Sequence, residues 1–248
     1  MLTEQRKQLL LAHLQKRGRI VAKKMAEKWE VSEDTIRRDL RELAAEGKLQ
    51  RVHGGALPAS PAIAPLDVRR NMAVDEKARL GKAGAKLVED GMSVFIDGGT
   101  TSLALVEHLS LDLRVTIFTH SPAIAAAFES YPNVKLILIG GVIFRHSMVA
   151  VGAAASEAIL QIRADMFFLG VTGLHAEQGL TTGDYEEAQI KRLIAGRSSE
   201  TVCLVTSEKL GAASAFPILP IASLSKLIID KDVPPPKLGE NAPQIIYA

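Results

Sequence analysis

Val31-Ser32-Glu33-Asp34-Thr35-Ile36-Arg37-Arg38-Asp39-Leu40 packs a helix start, an inward stripe and a basic face into ten residues. Ser32 stands where an N-cap hydroxyl would satisfy a free backbone N–H, and Ile36, Leu40 and Leu43 recur at helical spacing, so they face inward. At about 100° per residue, Asp34, Arg37, Arg38 and Arg41 fall on the opposite face, where guanidinium groups can reach guanine edges and phosphates in a major groove. With Ser32 and Thr35 at its start, this segment reads as a recognition helix.

The flanking sequence supports that reading. Thr3 is expected to cap a first helix carrying Leu10, Leu11 and Leu14 and ending at Gly18, and Ala22, Met25, Ala26 and Trp29 form the stripe of a second. Gly47 suits the position just past the recognition helix, and residues 48–53 alternate as a strand before a Gly54-Gly55 turn. Three short helices and a basic hairpin in this order predict a winged helix-turn-helix. The hairpin is its wing, placing Arg51 and His53 near a flanking phosphate or minor groove.

Charge follows the same division. Residues 1–57 hold 13 Lys/Arg against 8 Asp/Glu, a net of +5, while the remainder nets −3 and the whole chain +2. So modest a balance predicts weak, salt-sensitive affinity for DNA of any sequence, leaving specificity to base contacts and to dimerisation. The chain has 248 residues, 47% of them hydrophobic, which suits two domains, and no run of about 18 apolar residues that would span a bilayer. Cys203 is the single cysteine and sits in the apolar run 201–205, so it is expected to be a buried strand thiol. The chain starts on a helix pattern rather than a signal sequence, which predicts a cytoplasmic protein. Residues 56–65 contain three prolines and little charge, as a semi-extended linker would. The expected division is therefore a DNA-binding domain at 1–57, a linker at 58–72 and an effector-binding and oligomerisation domain at 73–248.

In the second domain, β-rich runs recur at 92–96, 114–118, 134–139, 165–169, 201–205 and 226–229, with helical stretches in most gaps. Such alternation predicts an α/β fold with a mostly parallel sheet, whose ligands sit at the carboxyl ends of the strands. Asp97-Gly98-Gly99-Thr100-Thr101 follows the first run and opens a helix expected at 102–109. Its glycines allow an anion close to the backbone and its hydroxyls supply donors, although a tight strand-to-helix turn with a Thr cap would use the same residues. Thr119-His120-Ser121, Gly140-Gly141, 170–174 with Gly173, and Ser207-Glu208-Lys209 follow later runs in the same way. Five polar or glycine-rich strand ends on one sheet argue for a ligand pocket. Glu187 and Lys191 stand at i, i+4 on a helix, fitting either a surface ion pair or a pocket lysine for an anion. No dinucleotide fingerprint, Walker loop, HExxH or clustered Cys/His spacing is present, so no cofactor and no metal is expected.

Arg6, Gly18, Val31-Ser32, Thr35 to Leu40, Leu43, Gly47, Leu49, Arg51 and His53-Gly54-Gly55-Ala56 together resemble the DeoR family of bacterial transcriptional regulators. Asp97-x-Gly99-Thr100-Thr101, Gly140-Gly141, Asp165-x-x-Phe168, Gly173, Gly179-Leu180, Glu187-x-x-x-Lys191 and Lys209-Leu210-Gly211 are similar to that family's effector domain. The resemblance implies a fold related to ribose-phosphate isomerases and CoA transferases, a phosphorylated sugar or related metabolite as inducer, and an oligomeric repressor, dimer or tetramer. The chain departs from the family pattern at His120, where Asn is common, and in Thr206-Ser207-Glu208-Lys209, where Asp-x-x-Lys is frequent.

Two function classes follow. The first is a regulator of a carbohydrate-metabolism operon that binds operator DNA through Ser32, Thr35, Arg37, Arg38, Arg41, Arg51 and His53. Its effector would be bound by Asp97, Gly99, Thr100, Thr101, Thr119, His120, Ser121, Gly140, Gly141, Gly173, Glu187, Lys191 and Lys209. The alternative is a sugar-phosphate isomerase-like enzyme with a DNA-binding appendage, using Asp97 or Glu187 as base, although no second catalytic group is paired with either.

Overall fold

Helix α1 (Thr3–Arg17) stops at Gly18, whose φ of 70° lets its N–H close on the Leu14 carbonyl. Thr3 is the first helical residue rather than the cap; Leu2 holds the cap position without a side-chain bond. Strand β1 (Ile20–Val21), α2 (Ala22–Trp29) and α3 (Glu33–Ala45) follow, then β2 (Leu49–Val52) and β3 (Gly55–Pro58). The three strands form an antiparallel sheet in the order β1-β3-β2. Gly55 is fixed by this closure, because a Cβ there would lie 1.8 Å from the Ile20 carbonyl oxygen. Leu10, Met25, Ile36, Leu40, Leu43 and Leu49 make the core, each worth about 1.5–3 kcal/mol by burial. Arg6 and Asp39, both buried, join α1 to α3 through a two-pronged ion pair.

This computed structural model describes residues 1–60, 62, 64–234 and 242–248; Pro61 and Ile63 of the expected linker, with 235–241, lie outside the described residues. The expected semi-extended linker is a docked, partly regular segment instead. β3 runs to Pro58, Ala59 bridges in parallel to Ala213, Ser60 Oγ donates to the Thr172 carbonyl, and α4 (Leu66–Arg70) follows Pro65. Small apolar residues allow this close docking, and the fixed φ of Pro65 suits the position before a helix.

The second module runs α5 (Val74–Ala85), β4 (Ser93–Ile96), α6 (Thr100–Val106), β5 (Thr116–Thr119), α7 (Pro122–Ala127) and β6 (Lys135–Leu138). It continues through β7 (Val142–Phe144), β8 (Val149–Val151), α8 (Ala153–Leu160), β9 (Ala164–Leu169), β10 (Gly173–His175) and β11 (Gly179–Thr182). Then come α9 (Tyr185–Ala195), β12 (Ser198–Leu204), β13 (Phe216–Leu219), β14 (Lys226–Ile229) and β15 (Gln244–Tyr247). All six expected runs are strands, with ends that match or shift by up to three residues, and α6 begins at Thr100 instead of residue 102. β15 and the antiparallel pieces β7-β8 and β10-β11-β13 were not anticipated.

The main sheet is parallel throughout, in the order β15-β14-β12-β9-β4-β5-β6. Side chains alternate between two covered faces: Val94, Ile96, Met166, Phe168 and Val202 pack with α5, α6 and α7, while Phe95, Phe167, Leu169 and Cys203 pack with α8 and α9. Burial also pushes the Cys203 thiol up to about 12, so it is an inert core residue as expected. From β4 the chain builds outward through β5 and β6, then returns to β9 on the other side of β4. The order therefore reverses between β4 and β9, and a crevice opens at their carboxyl ends.

Candidate functional site

Asp97 follows β4 at that reversal point and is fully buried. Its Oδ1 accepts from the Gly98 N–H at 2.7 Å and lies 2.8 Å from His120 Nε2; its Oδ2 accepts from the Gly170 N–H at 2.8 Å and from Lys191 Nζ at 2.6 Å. Gly170 is required there, since a Cβ would stand 3.0 Å from Asp97 Oδ2 and 2.8 Å from the Gly98 carbonyl oxygen. Burial alone would raise the Asp97 carboxyl, but Lys191 and His120 outweigh it and hold the group down at about 2. Lys191 also donates to the Gly170 carbonyl at 2.9 Å and lies 3.3 Å from Glu187 Oε1. Burial opposes the Lys191 charge, yet Asp97 and Glu187 raise its pKa. Glu187 in turn accepts from Thr182 Oγ1 at 2.6 Å. The i, i+4 pair is thus buried and belongs to the pocket rather than to a solvated helix face.

Above this network lies a cavity walled by Gly99, Thr100, Thr101, Glu187, Lys191 and Lys209 from the expected set, with Gly98 beside them. Asp97 sits beneath the wall, and His120 behind Asp97, with its Nδ1 2.8 Å from the Ala150 carbonyl oxygen. Thr119 and Ser121 are buried turn and cap residues: Ser121 N–H donates to Thr119 Oγ1, and Ser121 Oγ accepts from Ile124 N–H at the start of α7. Gly140, Gly141 and Gly173 lie outside the wall; Gly173 instead packs β10 against the Ala212 backbone. Ser207, one of the departures from the family pattern, bonds Glu76 of α5 through its N–H and hydroxyl.

Three cavity cations were not singled out from sequence or were seen without their neighbours: Arg69 from α4, Lys77 from α5, and Lys209. None has a carboxylate within ion-pairing distance among the described residues. Desolvation lowers all three, Lys209 to about 8, and the mutual repulsion of Lys209 with Arg69 and Lys77 adds to the effect. Thr101 Oγ1 is, among the described residues, the buried side-chain polar atom without a hydrogen-bond partner. Such a grouping of desolvated cations and an unsatisfied hydroxyl favours an anion carrying oxygen acceptors. Lys77 was legible in principle, because it occupies the inward stripe of α5 with Leu80, Gly81 and Gly84. Arg69 lay in a stretch read as linker.

On the amino-terminal module, Ser32 Oγ accepts from the Thr35 N–H at 3.1 Å, as expected of the cap. Arg37, Arg38, Arg41, Arg51 and His53 are all exposed, the first three on α3 and the last two on the wing. Arg37 is held by Glu33 at 2.8 Å, an exposed i, i+4 pair worth only about 0.3–0.5 kcal/mol and readily exchanged for a phosphate. No helix among the described residues is long and apolar enough to cross a membrane.

Residues 6–61 match the DeoR-like helix-turn-helix domain, and residues 72–231 match the DeoR C terminal sensor domain. The glycerol-3-phosphate regulon repressor of Escherichia coli is 30% identical over 234 residues, covering 94% of this chain and 92% of that protein. The transcriptional regulator GolR of Listeria innocua is 29% identical over 231 residues, covering 92% and 91%. Among solved structures, ribose 5-phosphate isomerase A of Methanocaldococcus jannaschii aligns at a TM-score of 0.41 and 20% identity over 55% of this chain and 54% of its own. With a helix-turn-helix match and a sensor-domain match together spanning most of its length, the chain belongs to the DeoR family of DNA-binding transcriptional regulators.

Proposed function

We propose that this regulator represses a carbohydrate-metabolism operon and is released by a phosphorylated sugar or related metabolite bound in the cavity at the β4/β9 ends. The observation that supports this most is the set of desolvated cations Arg69, Lys77 and Lys209, without a carboxylate in ion-pairing distance among the described residues, beside the unsatisfied Thr101 Oγ1 above the Asp97–Lys191 network. The cations and hydroxyls suit a phosphate, and the Lys191 and Glu187 end suits sugar hydroxyls. On the DNA side, Ser32, Thr35, Arg37, Arg38, Arg41, Arg51 and His53 are the contact set. The matched ranges leave residues 62–71 between them, in keeping with a DNA-binding module at 1–57, a connector at 58–72 and a sensor module from 73. A homo-oligomer would supply the second half-site that so modest a charge balance requires.

The isomerase alternative is not favoured. A general base needs a free oxygen and a pKa near the working pH, whereas both Asp97 oxygens already accept two donors each and its pKa lies at about 2. A thermal-shift screen of phosphorylated sugars and polyols tests the proposal, because a ligand of the folded state raises stability by mass action. A hit should then release operator DNA without being converted; turnover of the hit would favour the enzyme.

A further inference from the structure

One wall of the cavity is built from the chain that leads out of the DNA module. After β3, Ser60 is tied to the Thr172 carbonyl, Ala62 is buried against the cavity, and α4 brings in Arg69. The Arg69 guanidinium bonds the Ala64 carbonyl at 2.8 Å and reaches the His146 carbonyl at 3.4 Å, so two weak neutral acceptors hold it while the carboxylates stay away. Lys77, from the sensor module, donates to the Arg69 and Met72 carbonyls and clamps the end of α4. Arg69 therefore enters the cavity on the covalent connection between the two modules, and Lys209 enters from the sensor side.

We infer that the anionic group of the effector is gripped jointly by Arg69 of the connector and by Lys209 and Thr101 of the sensor module, so that the docking of α4 and of the residues up to Met72 is what the ligand controls. This rests on the reading of the cavity as the effector site and adds how that site is coupled to the DNA module. A ligand can shift an equilibrium only by a contact it makes differently in the two states. Contacts to Thr101 and Lys209 are the same whether the connector is docked or loose. The contact to Arg69 exists only when it is docked, and a guanidinium fork matches the geometry of a phosphate. Occupancy then favours the docked connector and fixes the wing, whose last strand, β3, runs directly into it.

Hydrogen exchange of the full chain tests this, with glycerol 3-phosphate and ribose 5-phosphate as ester probes, inorganic phosphate as the bare anion, and glycerol and ribose as uncharged controls. Binding of an ester should slow exchange both at 98–102 and at 66–72. Arg69→Gln should weaken the ester by about tenfold, and at saturation keep the slowing at 98–102 while losing it at 66–72. Arg70→Gln, an exposed neighbour on the same helix, should behave as wild type. Slowing by inorganic phosphate as well would mean that the anion alone suffices; slowing by esters alone would add the sugar to the grip. Slowing at 98–102 with 66–72 unchanged in the wild type, or wild-type affinity in Arg69→Gln, overturns the inference and leaves the effector site standing. No slowing anywhere with any probe overturns both.

Discussion

Asp97 is a fully buried carboxylate held by four partners, and its burial sets what substitutions can reveal. Lys191→Met would leave the Asp97 charge uncompensated and should cost roughly 3–5 kcal/mol in a urea melt, so loss of response in that variant would report unfolding as much as ligand binding. Thr101→Val is the cleaner probe. Removing a buried hydroxyl without a partner should leave the melting temperature unchanged or slightly raised, while ligand affinity falls. Acid should act through Asp97: its folded pKa of about 2 lies below the ordinary 3.8, so the stability it contributes, about 2 kcal/mol, is present above pH 4 and is lost as pH falls toward 2. Lys209 runs the other way. Its folded pKa of about 8 lies below the ordinary 10.5, so stability rises between about pH 8 and 10.5 as the folded state sheds a proton that the unfolded chain keeps. Glu208 and Cys203 oppose that shift, and Arg69 and Lys77 add to it. An anion that needs the charged ammonium should therefore bind more weakly as pH rises through 8, which calorimetric titration at pH 7 and pH 9 would register.

At the level of elements, the proposed DNA contacts fall on α3 and the wing, and the two are expected to contribute differently. Arg38→Ala should lower operator affinity by roughly 1–3 kcal/mol with the fold intact, whereas Arg51→Ala should weaken binding to all sequences alike and reduce the salt dependence, as loss of a phosphate contact does. Gel-shift titrations against operator and unrelated DNA at two salt concentrations separate the two effects. These elements were legible because one short helix carries its cap, its stripe and its basic face within thirteen residues. The inner parallel strands β4, β5, β9, β12 and β14 were legible for a similar reason: each carries an apolar run that is largely buried, whereas β6 at the sheet edge leaves Leu136 and Leu138 exposed. The connector was misread because proline and small apolar residues suit both an extended linker and a segment pressed onto another surface, and only the partner, Ala213 and Thr172, distinguishes them. β7, β8 and β10 escaped because three-residue strands leave too short a pattern to read. Of the cavity, Asp97, Glu187 and Lys191 were candidates in the sequence, but spacing alone left the Glu187–Lys191 pair open between a solvated helix face and a pocket. The cationic side was not legible, because Arg69 and Lys77 meet Lys209 only through the tertiary fold.

The whole molecule joins a basic reader of net +5 to a sensor whose crevice sits where the strand order reverses, and the chain between them lines that crevice. The central claim is that a ligand in this crevice governs the grip of the reader on DNA. An operator titration with and without the phosphorylated hit of the thermal screen, on wild type, Thr101→Val and Lys209→Gln, tests it most directly. All three proteins should bind the operator equally in the absence of ligand, and the two variants should need about tenfold more ligand than wild type for release, the loss of roughly one charge-assisted hydrogen bond. Release of both variants at the wild-type ligand concentration would contradict the account and move the effector site away from the β4/β9 crevice.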